Sequence, residues 1–172
     1  MQIRPAEAGD HAAIGRLLRG AFPTDAEARL VDSLRAADAD SLELVAEDHD
    51  AVIGMVLFSP VEAVGAGKSS AIGLGLAPLA VVETRQGRGI GSALVDSALE
   101  FLAALDPPFF AVLGEPDYYA RFGFEPASGF DYRWDADVEN QAGDAFRLLV
   151  RDTNRLPKGP GIIRYHRAFS GF

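Results

Sequence analysis

The chain of 172 residues carries a net charge of −9, and 48% of its residues are hydrophobic. This length and composition fit a packed globular protein, and we expect a single domain over residues 1–172. The absence of cysteine excludes disulfides, thiolate zinc sites and a cysteine nucleophile. An acidic chain with no long apolar run predicts neither a nucleic acid nor a membrane as partner. The sequence fits a cytoplasmic protein and is compatible with a homodimer.

The first part of the chain predicts a strand, two helices and a hairpin. Residues 2–6 resemble a short strand. Asp10 is placed to cap a first helix, and Thr24 and Glu27 have the spacing of a capping box that opens a second one. Two apolar stretches on either side of residues 49–50 then predict a β-hairpin.

The second part of the chain alternates strand and helix around one glycine-rich turn. A strand is predicted over residues 71–82, and Pro78 predicts a bulge or break in it because proline cannot donate a ladder hydrogen bond. The following helix, from residue 88 to about residue 105, has an apolar face of Ile90, Leu94, Ala98, Phe101 and Leu105. A buried strand, a short helix and a late strand complete the order. This order predicts an α/β fold in which a mixed sheet carries helices on its faces.

The glycine-rich turn covers residues 86–92 and joins the strand to the helix. Its three alternating glycines let backbone N–H groups converge on a ligand, and the helix N-terminus adds unpaired donors. Arg85 and Arg88 add full positive charges. Position 92 is serine and the turn contains no Gly-Lys-Ser/Thr, so the dinucleotide fingerprint and the P-loop are both excluded. The turn predicts a phosphate site, with a ligand-free tight connection as the alternative.

Two segments of the chain resemble one protein family. Residues 86–91, Gln-Gly-Arg-Gly-Ile-Gly, match the Q/R-x-x-G-x-G/A signature of the GNAT superfamily of acyl-CoA-dependent N-acyltransferases. Residues 119–124 resemble its Y-x-x-x-G-F segment, and "LGEPDYYARFGFEPA" and "IIRYHRAF" are similar to a bacterial subgroup of predicted acetyltransferases. The resemblance implies a GNAT-type fold, with a central splayed mixed β-sheet and helices on both faces. It also implies transfer of an acetyl group from acetyl-CoA to a small-molecule or peptide amine.

The resemblance further implies where acetyl-CoA binds. Strand backbone would pair with the pantetheine arm, and the glycine-rich turn would hold the pyrophosphate. The implied cofactor residues are Leu79, Ala80, Val81, Gln86, Gly87, Arg88, Gly89, Ile90, Gly91 and Ser92. A bulge near Leu79 would splay the strand from its neighbour, and a backbone N–H near Val81 or Val82 would stabilise the oxyanion.

Two residues are assigned to proton transfer. Tyr119 occupies the position at which many relatives use tyrosine to protonate the leaving thiolate, and an ordinary core tyrosine is the alternative. The central-strand carboxylate that some relatives use as base is missing, since Gly73, Gly75 and Ala77 stand there. Glu115 is then the candidate base, acting through water, with a structural turn residue as the alternative. No metal is expected, because the histidines are scattered and cysteine is absent.

Two other functions are compatible with the sequence. A GNAT domain that holds acyl-CoA without turnover would serve as a sensor or interaction module, and the missing strand carboxylate keeps this alternative open. A nucleotide-binding protein of another fold would bind ATP or NAD instead of CoA. The sequence does not identify the amine, although the N-terminal helices and residues 128–143 are expected to shape its pocket.

Overall fold

A computed structural model describes residues 1–170 of the chain. In this part of the chain the strands are β1 (Gln2–Pro5), β2 (Leu42–Asp48), β3 (Ala51–Val64), β4 (Ser70–Val81), β5 (Phe109–Leu113), β6 (Glu125–Pro126), β7 (Tyr132–Trp134), β8 (Phe146–Val150) and β9 (Gly161–Arg164). The α-helices are α1 (His11–Ala21), α2 (Ala26–Ala36), α3 (Ile90–Ala103) and α4 (Pro116–Ala120). None of these helices is long and apolar enough to cross a lipid bilayer.

The strands belong to one mixed sheet. Their hydrogen-bonded order is β1-β2-β3-β4-β5-β8-β6, and β9 pairs with both β3 and β7. The predicted hairpin is present, since β2 and β3 are antiparallel and both residues of the turn at 49–50 have positive φ. Strands β4 and β5 are parallel, as expected for two strands joined by a crossover helix, here α3. The mixed sheet with its helices confirms the predicted α/β fold class.

The described residues divide into two compact units. Unit 1 comprises Met1–Phe58 and Ala77–Ala104, and unit 2 comprises Ser59–Leu76 and Leu105–Ser170. Strands β3 and β4 each contribute residues to both units. The prediction of a single domain over residues 1–172 stays a prediction.

The starts of α1 and α2 in unit 1 differ from the expected caps. Asp10 precedes α1, but its carboxylate accepts a hydrogen bond from the N–H of Glu7 (2.8 Å) and does not cap α1. Helix α2 begins at Ala26, whose N–H donates to Oγ1 of Thr24 (3.3 Å). The capping box predicted from Thr24 and Glu27 is therefore wrong, because Glu27 lies one position too early in the helix to close it.

Helix α3 buries only part of the predicted face. The face predicted through Phe101 and Leu105 is wrong at its end, since these side chains are 58% and 70% exposed. The helix ends at Ala103 and buries Ile90, Leu94, Val95, Ala98 and Leu102. Steps of four residues from Ile90 lead to Leu102, whereas a step of three residues after Ala98 leads onto the exposed side.

Strand β4 runs from Ser70 to Val81 without a break at Pro78, so of the two predicted irregularities the break is wrong and the bulge stays a prediction. The peptide bond between Ala77 and Pro78 is cis. The parallel ladder with β5 joins Leu74–Leu76 to Phe110–Val112, and it ends two residues before Pro78. Proline has no N–H with which to donate to a ladder.

Candidate active site

The glycine-rich turn of unit 1 leaves a row of backbone donors at the start of α3. Gly89 is the N-cap residue, and the first helical hydrogen bond runs from the N–H of Ala93 to the carbonyl of Gly89 (2.9 Å). The N–H groups of Ile90, Gly91 and Ser92 precede that bond and have no acceptor within the helix. They lie at the positive end of the helix dipole, which favours an anion.

Backbone conformation is the reason for glycine at two positions of this turn. Gly87 has φ of +71° and Gly89 has φ of +80°. A Cβ built on either residue meets no atom within 4 Å, so crowding does not require glycine there. The left-handed backbone conformation is what favours glycine, because this conformation costs other L-residues about 1–2 kcal/mol.

The two arginines of this region have different surroundings. Nη1 of Arg85 lies 3.1 Å from Oδ2 of Asp48, so its charge is already paired. Burial alone would raise the pKa of Asp48, but the charges of His49, the N-terminus and Arg85, with a hydrogen bond from His49, lower it. Arg88 is exposed and forms no ion pair within residues 1–170. Arg88 is therefore the better placed of the two to meet an added anion.

The end of β4 is fixed by two hydrogen bonds inside unit 1. Nε2 of Gln86 donates to the carbonyl of Val81 (3.0 Å), which ties the glycine-rich turn to the strand. The N–H of Val82 donates to the carbonyl of Ile53 (2.9 Å) and is not available for an oxyanion. Of the two N–H groups expected to serve that role, the one of Val81 remains. Ahead of it, Ala80 is buried and Leu79 is half-buried.

Tyr119 lies in α4 of unit 2 with its side chain in the core. It is 7% exposed, and its ring contacts Tyr118 and Phe124 in edge-to-face geometry with centroid distances of 5.0 and 5.9 Å. A Cβ on Gly114 would collide with the ring, so this glycine makes the room for it. Burial, with a smaller contribution from Tyr118, raises the pKa of Tyr119 well above its ordinary value. The phenol therefore keeps its proton at neutral pH and is a weaker acid than an exposed tyrosine.

Glu115 lies one helical turn before Tyr119. Its carbonyl accepts the N–H of Tyr119 (3.1 Å), so the two residues share the first turn of α4. Its carboxylate is exposed and does not cap the helix. The structure thus brings the two predicted proton-transfer residues into one turn, with the tyrosine buried and the glutamate in solvent.

Aromatic rings occupy the space beside the glycines of β4 in unit 2. A Cβ on Gly73 would lie 2.6 Å from Cζ of Phe109, and one on Gly75 would lie 2.7 Å from Cε1 of Tyr165. Tyr165 follows β9, a strand that sequence analysis did not predict and that pairs antiparallel with β3. No local pattern in the sequence indicates a role for Tyr165. The quoted segment "IIRYHRAF" contains it, but only the ladder between β9 and β3 indicates where the ring lies.

Each unit contains a cavity of its own. In unit 1 a space of about 660 Å³ is lined by α1, by residues 50–52 and by Val82, Glu83 and Thr84. In unit 2 a space of about 320 Å³ is lined by residues 134–136 and by residues that follow β9. Of the regions expected to shape the amine pocket, α1 lines the first space and residues 134–136 line the second, whereas α2 lines neither of them. The pocket of the amine stays a prediction.

Comparison with known proteins assigns the class. The acetyltransferase (GNAT) domain family matches residues 39–126, a range that includes the glycine-rich turn and Tyr119. The chain belongs to this family, and it is an N-acyltransferase of the kind that the family defines. This membership excludes the alternative of a nucleotide-binding protein of another fold.

Relatives with solved structures match nearly the whole chain. The chain is 38% identical to the uncharacterized N-acetyltransferase YhbS of Escherichia coli K12 over 95% of both sequences. The crystal structure of YhbS from Escherichia coli in complex with CoA has a TM-score of 0.86 and 35% identity, covering 98% of this chain and 91% of that one. A GNAT acetyltransferase from Brucella melitensis in complex with acetyl-CoA has a TM-score of 0.77 and 33% identity, covering 98% and 97%.

Proposed function

We propose that the protein transfers an acetyl group from acetyl-CoA to an amine by direct attack. The nitrogen lone pair adds to the thioester carbonyl carbon and forms the C–N bond, which gives a tetrahedral intermediate. The C–S bond then breaks, the sulfur takes up a proton, and the nitrogen loses one. The balanced reaction is R–NH₂ + acetyl–S–CoA → R–NH–acetyl + HS–CoA.

The row of unpaired N–H groups at the start of α3 carries this proposal. These three successive donors follow Gly87 and Gly89, two glycines in the left-handed backbone conformation, and such an array is suited to bind the pyrophosphate of CoA. The crystal structures of the relatives from Escherichia coli and Brucella melitensis, which contain CoA and acetyl-CoA, support the same co-substrate here. The proposed binding residues are Leu79, Ala80 and Val81 for the pantetheine arm, with Gly87, Arg88, Gly89, Ile90, Gly91 and Ser92 for the pyrophosphate. Gln86 acts indirectly, by tying the turn to Val81.

Tyr119 is proposed as the donor to the leaving thiolate. A thiol has a reference pKa of about 8.5, so the thiolate is a better leaving group when it receives a proton. Tyr119 carries its proton at neutral pH, and the packing of its ring against Phe124 holds the side chain in place. The charge that builds on the carbonyl oxygen is assigned to the backbone N–H of Val81.

Glu115 is proposed to accept the amine proton through water. Its carboxylate is exposed, so a water molecule can bridge it to an incoming amine. An alkylamine has a reference pKa near that of lysine, about 10.4, so proton removal limits the rate at neutral pH. A carboxylate that acts as a base through water assists this step without pairing directly with the charged amine.

The Tyr119→Phe variant tests the function. The change removes one hydroxyl and little volume, so CoA affinity should stay the same while kcat for thiol release falls about a hundredfold. Tyr118→Phe is the matched control, because Tyr118 is adjacent and its ring is covered by the guanidinium of Arg121 at 4.7 Å. Both variants are assayed with a panel of amines and checked for the release of free thiol.

The outcomes separate an enzyme from a module that only binds acyl-CoA. Thiol release by the wild type, with the large loss confined to Tyr119→Phe, supports catalysis as proposed. A wild-type protein that binds CoA but releases no thiol with any amine supports the sensor instead. A loss in Tyr118→Phe with none in Tyr119→Phe would transfer the donor role to the neighbour.

A further inference from the structure

Arg147 in β8 is a buried guanidinium without a carboxylate partner. Its exposed fraction is 7%, and within residues 1–170 it forms no ion pair. Nε and Nη2 both donate to the carbonyl of Phe124, at 3.2 and 2.9 Å, and Nη1 donates to the carbonyl of Asp144 at 3.0 Å. Because a charge that leaves water without a counter-charge destabilises the folded state, this arginine calls for a reason other than stability.

The bonds of Arg147 reach both sides of the space that holds the ring of Tyr119. Phe124 forms one side, since its ring packs against that of the tyrosine at a centroid distance of 5.9 Å. Gly114 forms the other side, where a Cβ would collide with Cε2 of the tyrosine. The N–H of Gly114 donates to the carbonyl of Ala145 (3.0 Å), next to the second carbonyl that Arg147 holds. The guanidinium therefore ties together the two backbone stretches that enclose the ring.

Residues 119–124, called here the tyrosine segment, also pack against β8. The N–H of Phe124 donates back to the first carbonyl of the segment (3.4 Å), which closes it into a turn. Gly123 has φ of +91°, and a Cβ on it would lie 3.2 Å from Cδ1 of Leu149. Alternate residues of a strand face the same side, so Leu149 and Arg147 both meet the tyrosine segment.

We propose that Arg147 is a positioning residue for acetyl transfer. It holds the tyrosine segment so that the hydroxyl of Tyr119 stays in place for the leaving thiolate. The inference rests on the proposed function, in which Tyr119 is the proton donor. Arginine suits this role because its donors lie in one rigid plane, so that three hydrogen bonds fix two carbonyls relative to each other. Lysine carries the same charge but lacks this planar array of donors.

Hydrogen exchange tests whether Arg147 holds the tyrosine segment. Arg147→Lys keeps the charge and loses the planar array, whereas Arg147→Met removes both. In these variants the amides of Gly123 and Phe124, which donate inside the segment at 3.0 and 3.4 Å, should exchange about tenfold faster. Arg155→Met is the control, because this arginine donates to the carbonyl of Asp106 (3.0 Å) and not to the segment. Unchanged exchange in both Arg147 variants would overturn the inference.

Steady-state kinetics test whether this position matters for the reaction. Arg147→Lys should lower kcat about tenfold, less than the roughly hundredfold loss expected of Tyr119→Phe, because it displaces the donor without removing it. The KM of acetyl-CoA should stay the same, since all the proposed CoA-binding residues lie in unit 1. Arg155→Met should leave both constants at their wild-type values.

A double variant distinguishes positioning from general damage. If Arg147 acts through Tyr119, Arg147→Lys should lower kcat about tenfold in the wild type but less than about twofold in Tyr119→Phe, where no hydroxyl remains to be placed. Equal losses in the two backgrounds would overturn the inference and leave the donor role of Tyr119 intact. The lysine variant decides this question even if Arg147→Met does not fold.

Thiol release by the wild type separates failure of this inference from failure of the proposed function. A wild type that releases thiol, with unchanged kcat in Arg147→Lys and Arg147→Met, overturns the inference and keeps the function. A wild type that releases no thiol with any amine removes the function and, with it, the catalytic role of Arg147. Faster exchange in the Arg147 variants would then still identify the arginine as the residue that holds the tyrosine segment.

Discussion

The two units hold their functional groups in different ways. Unit 1 offers backbone N–H groups whose directions follow from the φ angles of Gly87 and Gly89. Unit 2 contains two phenol side chains fixed by packing: the ring of Tyr119 packs against Phe124, close to it in sequence, and the ring of Tyr165 packs against Gly75 on a distant strand. Backbone donors are therefore sensitive to the conformation of single residues, whereas the hydroxyls depend on burial. The four predictions below test this difference.

The largest effect is expected for Gly89→Glu in unit 1. A carboxylate at the start of α3 would occupy the place of the pyrophosphate and repel it, and φ of +80° adds strain. CoA affinity should fall about a hundredfold or more, which corresponds to about 3 kcal/mol by calorimetry. Gly89→Ala is the control, since it introduces the same strain without the charge and should lose about tenfold or less. Equal losses in the two variants would show that conformation alone sets the affinity.

The dependence of unit 2 on burial predicts a loss of stability at alkaline pH. Both Tyr119 and Tyr165 have pKa values raised above the ordinary 10.0, so above pH 10 the unfolded chain releases protons that the folded chain retains. Stability should be constant below that pH and should then fall by about 1.4 kcal/mol per pH unit for each group. Urea unfolding between pH 8 and 12 measures the slope. Tyr119→Phe and Tyr165→Phe should each make it shallower, and the double variant shallower still; a slope unaffected by either change would contradict the burial argument.

The Glu115→Gln variant tests whether the exposed carboxylate near Tyr119 acts as a base. The rate should fall about tenfold at neutral pH, less than the roughly hundredfold of a base in direct contact. The loss should shrink as the pH rises toward the pKa of the amine, because the free amine then needs no base. A pH–rate profile of wild type and variant on one amine gives the comparison. Parallel profiles would leave Glu115 as a structural turn residue.

The smallest effect is expected for the arginines of unit 1. Arg88→Ala should weaken CoA several-fold, because exposed ion pairs contribute less than about 1 kcal/mol. Arg85→Ala should have a smaller effect on CoA, since Asp48 already holds that guanidinium at 3.1 Å. Titration of CoA at two salt concentrations separates the contribution of the arginine charge to CoA affinity from a structural effect of the substitution. Complete loss in Arg88→Ala with an intact fold would mean that side-chain charge, and not the backbone, dominates in unit 1.

The features that are predictable from the sequence have local signals. The glycine spacing at residues 87–91 specifies a turn and a helix start within a few residues, so both were predictable without knowledge of the sheet, and the binding of phosphate there stays a prediction. The hairpin at residues 49–50 was predictable for the same reason. The end of α3 was not, because Phe101 and Leu102 are both apolar and only tertiary packing decides which of them is buried.

The positions that sequence analysis missed depend on contacts between distant parts of the chain. Tyr165 reaches Gly75 because β9 pairs with the second half of β3, across about a hundred residues of sequence. The short strands β7 and β9 have no alternation strong enough to reveal them, and their parallel pairing with each other is purely tertiary. Glycine at position 75 indicated only that a carboxylate was missing, and not that a ring fills the space.

The contact between Gly75 and Tyr165 also constrains how such a protein can change over evolutionary time. A side chain at position 75 would begin 2.7 Å from the ring, so a strand carboxylate and this tyrosine exclude each other. Cγ1 of Val61 lies at the same distance of 2.7 Å, so a larger residue at position 75 requires room to be made at both Tyr165 and Val61 beforehand. The reverse order passes through a sterically blocked intermediate. The close packing around Gly75 therefore determines the order in which these positions can change.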